Sequence, residues 1–112
     1  MPEAITVVDM DTGVFVEVNG SAALLFETTR DQLLRSGPAQ LSPPLQPDGR
    51  RSDEAALAYI ERAFAGETPI FEWVHRSLRG RDIHCEIRLC RMPGDQRRLV
   101  RGSVVDITER KR

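Results

Sequence analysis

The sequence has no long hydrophobic run and almost no net charge. No apolar stretch approaches the roughly 18 residues that a membrane-spanning helix requires, and the first residues, MPEA, do not resemble a signal peptide. Sixteen Lys and Arg against seventeen Asp and Glu give a net charge of −1, with the basic residues scattered along the chain. We therefore expect no direct membrane contact and no nucleic-acid binding. The expected location is the cytoplasm, either free or as the cytosolic part of a membrane-anchored protein.

Cysteine and histidine are too few and too poorly spaced for a metal site. Cys85 and Cys90 are five positions apart in one predicted strand, so they face opposite sides at a distance of roughly 16 Å and cannot form a disulfide. His84 and Cys85 are adjacent and also face opposite sides. The sequence therefore predicts no metal and two ordinary thiols, as is typical of a cytosolic protein.

Two short β-rich segments and two short helices are predicted in the first third of the chain. Residues 4–8 and 14–18 flank a turn rich in Asp and Gly, which indicates a hairpin. Asn19 is placed to cap the first short helix, and Thr29 or Asp31 to cap the second. The proline-rich segment LSPPLQPDG that follows is predicted to be a surface loop.

The rest of the chain predicts one longer helix and three strands. The helix begins at Ser52 and ends before Gly66, and the strands cover residues 70–78, 82–92 and 98–107. The predicted class is α+β, with a five-stranded antiparallel sheet and helices packed on one face.

The register of this sheet is predicted from the turn lengths that give it one coherent apolar face. A three-residue first turn and a four-residue second turn place Ile87 opposite both Trp73 and Gly102. The other face is then polar, and Glu72 is expected to pair with Arg88 across the strands.

Four segments in this order resemble a PAS domain, the sensory module of bacterial signalling proteins. They are VVDMDTGVFVEVN leading to Ala22-Ala23, the SPPLQPDG loop ahead of a helix, FEWVHRSLRG, and DITERK. The resemblance covers nearly the whole chain and implies a PAS-like sheet of order 2-1-5-4-3 whose helices enclose a pocket. It implies a single PAS domain over residues 1–108, with residues 109–112 starting a linker helix to an effector outside this chain. Glu27 departs from the family pattern, since relatives commonly have a glycine there.

The apolar interior is the candidate site for a small-molecule ligand. The tentative pocket residues are Val8, Phe26, Leu33, Phe64, Trp73, His75, Ile87, Gly102 and Val104. Gly102 leaves space that a side chain would otherwise fill. The alternatives are that Trp73 fills this space and that His75 is an ordinary core histidine, in which case the domain is purely a structural dimerisation module.

Cofactor and enzyme functions find little support in the residues. Flavin-binding PAS relatives carry a motif resembling Asn-Cys-Arg-Phe, and haem-binding relatives carry a histidine on the long helix, but this chain has neither, so both groups are disfavoured and any cofactor is unknown. A small pocket enzyme would use Glu72 or Glu86 as a base with a histidine partner. Both glutamates fall on the polar face, so we expect no catalysis by this chain.

The C-terminal segment contains the expected signal relay, residues Asp106, Ile107, Thr108 and Glu109. Thr108 is placed to cap a new helix, with Glu109 in its first turn. Asp106 is expected to hold the joint by bonding to the domain body. The resemblance implies that this segment passes the signal to an effector such as a histidine kinase of a two-component system or a diguanylate cyclase. We also expect the chain to form a homodimer.

Overall fold

The computed structural model describes residues 3–94 and 96–111, with only the backbone of Lys111. The elements in chain order are β1 (Ala4–Asp9), β2 (Phe15–Val18), α1 (Gly20–Leu25), α2 (Arg30–Leu33), a 3-10 helix (Pro38–Leu41), α3 (Ser52–Phe64), β3 (Ile70–Arg76), β4 (Asp82–Arg91), β5 (Leu99–Asp106) and α4 (Thr108–Lys111).

The five strands form one antiparallel sheet in the order β2-β1-β5-β4-β3. This confirms both the α+β class and the sheet order that the resemblance implied. Along each strand, every second residue points to the inner face of the sheet, and the buried residues of that face belong to the hydrophobic core. The helices α1, α2 and α3 contribute Ala22, Leu33, Ala55 and Ala63 to the same core.

The predicted strand register is wrong by two residues in both C-terminal hairpins. Trp73 lies opposite Cys85, and Gly102 lies opposite Leu89. In the first hairpin the backbone N–H of Ser77 donates to Arg81 over 2.8 Å, so the turn closes one residue before the expected position. A shift by an even number of residues leaves every side chain on its face, so the predicted inner face is kept.

The outer face of the sheet is polar, but the two residues of its predicted ion pair do not lie directly opposite each other. Glu72 lies opposite Glu86, and Arg88 lies opposite Ile70. Arg88 instead reaches Glu86 on its own strand, at 3.5 Å. The shift in register accounts for this difference, since it moves the position opposite Arg88 by two residues, from Glu72 to Ile70.

The short helices begin at the predicted capping residues. The side chain of Asn19 accepts a hydrogen bond from Ala22 N at 2.9 Å, and Thr29 Oγ1 accepts one from Gln32 N at 3.2 Å. Between these helices Glu27 adopts a φ of 58°, the left-handed conformation that glycine adopts at least cost. The turn is therefore kept at the position where the sequence departs from the family pattern, and Glu27 forms an ion pair with Arg81 at 3.2 Å.

The loop before α3 is attached to the outer edge of β3 by the side chain of Gln46. Its Oε1 accepts a hydrogen bond from Val74 N at 2.9 Å, and its Nε2 donates to Val74 O at 3.0 Å. Nε2 also donates to the hydroxyl of Ser52 at 2.9 Å. Ser52 begins α3 as predicted, but its hydroxyl binds Gln46 and makes no helix-capping bond. These bonds fix the start of α3 relative to the sheet.

Candidate functional site

An apolar cavity of about 50 Å³ lies between the inner face of the sheet and the helices. Its walls come from all five strands, from Phe26 after α1, from the 3-10 helix at Pro38, and from Ala56 and Ile60 on α3. A cavity of about 150 Å³ binds benzene, so the space within this domain is suited to a smaller molecule.

Most of the predicted pocket residues line this cavity. They are Val8, Phe26, Trp73, His75, Ile87, Gly102 and Val104. That these residues form a ligand pocket stays a prediction. The cavity also has walls that the predicted pocket did not include: Thr6, Phe15, Pro38, Ala56, Ile60, Phe71, Leu89 and Val100.

Leu33 and Phe64 do not line the cavity. Leu33 is fully buried in the core on α2, which packs against β2. Phe64 is the last residue of α3, and its ring is covered by the guanidinium of Arg91 at 4.2 Å. Arg91 also donates a hydrogen bond to the carbonyl of Phe64 at 3.3 Å. Phe64 therefore joins the end of α3 to β4.

Trp73 is buried, as predicted, with 4% of its surface exposed. Its Nε1 donates a hydrogen bond to Ser42 Oγ at 3.1 Å, so its polar atom is satisfied. Phe71 stacks on Tyr59 at a centroid distance of 3.6 Å, and Trp73 meets both rings edge-on. These aromatic rings join β3 to α3 along one side of the cavity.

His75 is a buried histidine that lines the cavity beside Trp73, with 5% of its surface exposed. Its Nδ1 is 2.7 Å from the carbonyl oxygen of Leu41, and its ring meets Phe26 edge-on at 5.0 Å. Burial disfavours the charged imidazolium and lowers the pKa of His75 from 6.5 to about 4, although the bond to Leu41 opposes this shift. His75 is therefore neutral at physiological pH.

Gly102 lies on β5 between side chains of β1 and β4 on the inner face. A Cβ atom at this position would lie 3.0 Å from Thr6 Oγ1 and 3.3 Å from Leu89 Cδ2. The space above Gly102 is thus occupied by Thr6 and Leu89, whereas the alternative interpretation gave that space to Trp73. The cavity remains because these neighbours only partly fill the interior.

The C-terminal segment leaves the sheet directly beside the cavity. Ile107 is 4% exposed, and its backbone N–H donates to the carbonyl of His84 on β4 at 2.8 Å. Asp106 Oδ1 accepts hydrogen bonds from Thr108 N at 2.9 Å and from Thr108 Oγ1 at 2.6 Å. α4 then begins at Thr108, with Glu109 in its first turn.

The expected bond from Asp106 to the domain body is therefore replaced by a local one. Within residues 3–94 and 96–111, the side-chain hydrogen bonds of Asp106 go to Thr108. Ile107, which is buried and bonded to β4, attaches the segment to the domain. The aspartate and threonine fix the direction in which the helix starts.

Metal and catalytic groups are not brought together in the described part of the chain. Residues 3–94 and 96–111 contain no group of three or more His, Cys, Asp or Glu side chains that could hold a metal ion. Cys85 is buried, and burial raises the pKa of its thiol to about 12, which makes it a poor nucleophile. Glu72 and His84 border an open groove on the outer face, but both are exposed, so neither is desolvated as a general base would be. Over the same residues, no helix has the length and apolar character to cross a membrane.

Comparison with known proteins agrees with this architecture. The sequence matches a family model described as PAS fold over residues 1–112. No curated protein matches it.

Several solved structures have a similar fold. A PAS domain from a two-component sensor histidine kinase has a TM-score of 0.73 at 23% identity, covering 93% of this chain and 84% of that one. A domain of a sensory box sensor histidine kinase/response regulator from Geobacter sulfurreducens has a TM-score of 0.74 at 22% identity, covering 93% and 82%. The LOV domain of a blue-light activated histidine kinase from Erythrobacter litoralis EL346 has a TM-score of 0.74 at 14% identity, covering 96% and 97%. With the family model matching its whole length and the same fold in these structures, the chain belongs to the PAS domain family.

Proposed function

We propose that this chain is the sensory module of a larger signalling protein and that it binds a small molecule in its apolar cavity. Residues 1–108 form the sensory domain, and residues 109–112 start a linker helix to an effector such as a histidine kinase or a diguanylate cyclase. The chain itself catalyses no reaction. Family membership and the histidine kinases among the proteins of similar fold support this proposal.

The proposal rests on one observation, which is that β5 joins the cavity wall to the C-terminal helix. Val104 lines the cavity and lies opposite Ile87 of β4. Two residues further on, Asp106 binds the first residue of α4, and Ile107 is bonded to His84 of β4. A ligand that separates the sheet from the helices shifts β5 against β4, and the bonds of residues 106–108 transfer that shift to the helix.

Neither flavin nor haem fits the residues that surround the cavity. A space of about 50 Å³ is several-fold too small for an isoalloxazine ring or a porphyrin, since benzene alone uses a cavity of about 150 Å³. The α3 sequence, SDEAALAYIERAF, has no histidine to ligate a haem iron. The ligand in this proposal is therefore smaller than these cofactors.

Homodimerisation is part of the same proposal. On the outer face of the sheet, Ile70 is 59% exposed and Val105 is half-buried. A second copy of the chain would cover these apolar side chains together with the polar residues beside them. Multi-angle light scattering over a range of concentrations measures this directly.

A thermal-shift screen against small metabolites tests the sensory proposal. A molecule that binds only the folded state raises the melting temperature by mass action. If a broad library raises it nowhere while the chain is a stable dimer, the purely structural dimerisation module replaces the sensory proposal.

Variants of the C-terminal segment test the relay in the full-length protein. Asp106→Ala and Thr108→Ala should uncouple effector output from the stimulus while leaving the isolated domain folded and its ligand affinity little changed. Glu109→Ala, at the exposed side of the first turn of α4, should have a smaller effect. Normal stimulus responses in both Asp106→Ala and Thr108→Ala would show that the segment is only a tether.

A further inference from the structure

His75 presents one nitrogen to the protein and has a second nitrogen that is free. Nδ1 is 2.7 Å from the carbonyl oxygen of Leu41, and a carbonyl can only accept a hydrogen bond. Nδ1 therefore carries the proton, and Nε2 of the neutral ring carries an unshared electron pair. Among residues 3–94 and 96–111, no group donates a hydrogen bond to Nε2.

This free acceptor belongs to a side chain that lines an otherwise apolar cavity. His75 is 5% exposed, so bulk water has little access to it. The other nearby polar atom of β3, Trp73 Nε1, is already used in its bond to Ser42. Within the described residues no sealed side-chain nitrogen or oxygen lacks a partner, so Nε2 keeps some accessible surface. A ligand that donates to it there gains one hydrogen bond, worth about 0.5–1.5 kcal/mol.

Thr6 is the other polar side chain of the cavity wall, but it lies at a distance from His75. Thr6 is on β1 and His75 is on β3, three strand positions apart in the sheet. At about 4.8 Å per strand, this separation is roughly 14 Å. A small ligand that contacts His75 therefore does not also reach Thr6.

We infer that the cavity selects a small, uncharged ligand with an apolar body and one hydrogen-bond donor, and that His75 Nε2 is the acceptor which recognises this donor. The inference rests on the proposed ligand-binding function of the cavity. Among the residues that the structure describes, no Lys or Arg lines the cavity, so a carboxylate or phosphate would be desolvated without a compensating charge. Ligands that only accept hydrogen bonds meet the electron pair of Nε2 and bind less well. Short alcohols have the required chemistry.

Ethanol and acetonitrile provide a matched pair of probes. The two molecules are similar in size, but ethanol donates a hydrogen bond and acetonitrile only accepts. The measurement is an NMR titration of the isotope-labelled domain, following the ¹⁵N resonance of His75 Nε2 and the methyl resonances of Val8, Ile87 and Val104. Ethanol should shift both sets of signals with one saturation curve, and acetonitrile should bind more weakly by about two- to tenfold, the value of one hydrogen bond.

Two variants separate the role of His75 from a general effect on the cavity. His75→Asn keeps a donor near the position of Nδ1 for Leu41 and removes Nε2, so it should weaken ethanol binding by about two- to tenfold and abolish the preference over acetonitrile. His84→Asn makes the same substitution at the exposed histidine outside this cavity and should leave that preference unchanged. If His75→Asn does not fold, the Nε2 resonance of the unmodified domain still gives the answer.

The inference is wrong if the two probes bind equally, or if ethanol shifts the cavity methyls without moving the Nε2 resonance. It is also wrong if neither probe shifts any cavity methyl. In each of these cases, a metabolite that raises the melting temperature in the thermal-shift screen would leave the proposed sensory function intact, so the two failures can be told apart.

Discussion

Replacing Trp73 with alanine should be among the most damaging changes to the domain. The side chain is 4% exposed, and it joins the aromatic rings of Tyr59 and Phe71 to the cavity wall. Large aromatic truncations in cores cost about 3–5 kcal/mol. The upper part of this range is expected, because the new void would merge with a cavity of about 50 Å³ that the surrounding side chains already leave unfilled.

Two further substitutions divide this cost between packing and hydrogen bonding. Trp73→Phe keeps an aromatic ring but loses the bond from Nε1 to Ser42 Oγ, so it should cost about 1–2 kcal/mol. Ser42→Ala leaves the indole N–H without its acceptor and also removes the bond from Ser42 Oγ to Pro38 O, so its cost should be about 1–3 kcal/mol. If the two effects share the indole bond, the double variant should cost less than their sum.

Urea unfolding followed by far-ultraviolet circular dichroism is the suitable assay. Trp73 is the only tryptophan, so its fluorescence is lost in the variants and cannot report on them. Leu24→Ala is the control, since Leu24 is 82% exposed and should change stability by no more than about 0.5 kcal/mol. A cost below about 1 kcal/mol for Trp73→Ala would refute the assignment of Trp73 to the packed inner face.

Three other changes have defined outcomes. The pKa of His75 falls from 6.5 in the unfolded chain to about 4 in the fold, so the unfolded state binds more protons between these two pH values. The free energy of unfolding should therefore fall by about 1.4 kcal/mol per pH unit as the pH drops through this window. Urea midpoints of His75→Asn should not show this slope. Gly102→Ala should cost about 1–3 kcal/mol, since the new Cβ meets Thr6 Oγ1 at 3.0 Å, and an unchanged melting temperature would contradict this. Gln46→Ala removes both side-chain bonds to Val74 and should cost about 1–3 kcal/mol in urea unfolding, and Gln46→Glu should not restore stability because a carboxylate cannot donate to the Val74 carbonyl.

The faces of the strands were predictable from the sequence, whereas their register was not. Alternation of apolar and polar residues assigns Trp73, Ile87 and Val104 to one side of the sheet whatever the pairing. Register depends on where each turn closes, and both candidate turns of the first hairpin contain Gly80. Shifting the turn by one residue moves the strand pairing by two residues. Every side chain then stays on the same face of the sheet, so the alternation of apolar and polar residues does not distinguish the two registers.

The cavity was only partly predictable for a related reason. The strand residues of its wall follow from alternation, and Ala56 and Ile60 could have been added because residues four apart share one face of a helix. Pro38 could not have been predicted to line the cavity, because a short 3-10 helix gives no periodic pattern of apolar residues in the sequence. Phe64 was wrongly included because helical spacing alone does not show that the end of α3 has passed the cavity and lies under Arg91.

The bonds from Gln46 to Val74 restrict how this domain can associate with other chains. An edge strand with free backbone N–H and C=O groups is a template onto which another chain can add a strand. In the middle of β3 those groups are already occupied by an amide side chain of the same molecule. Strand addition there would have to displace Gln46, whose removal would also free the start of α3 at Ser52. If two such domains associate, we expect the contact to use the face of the sheet and not this edge.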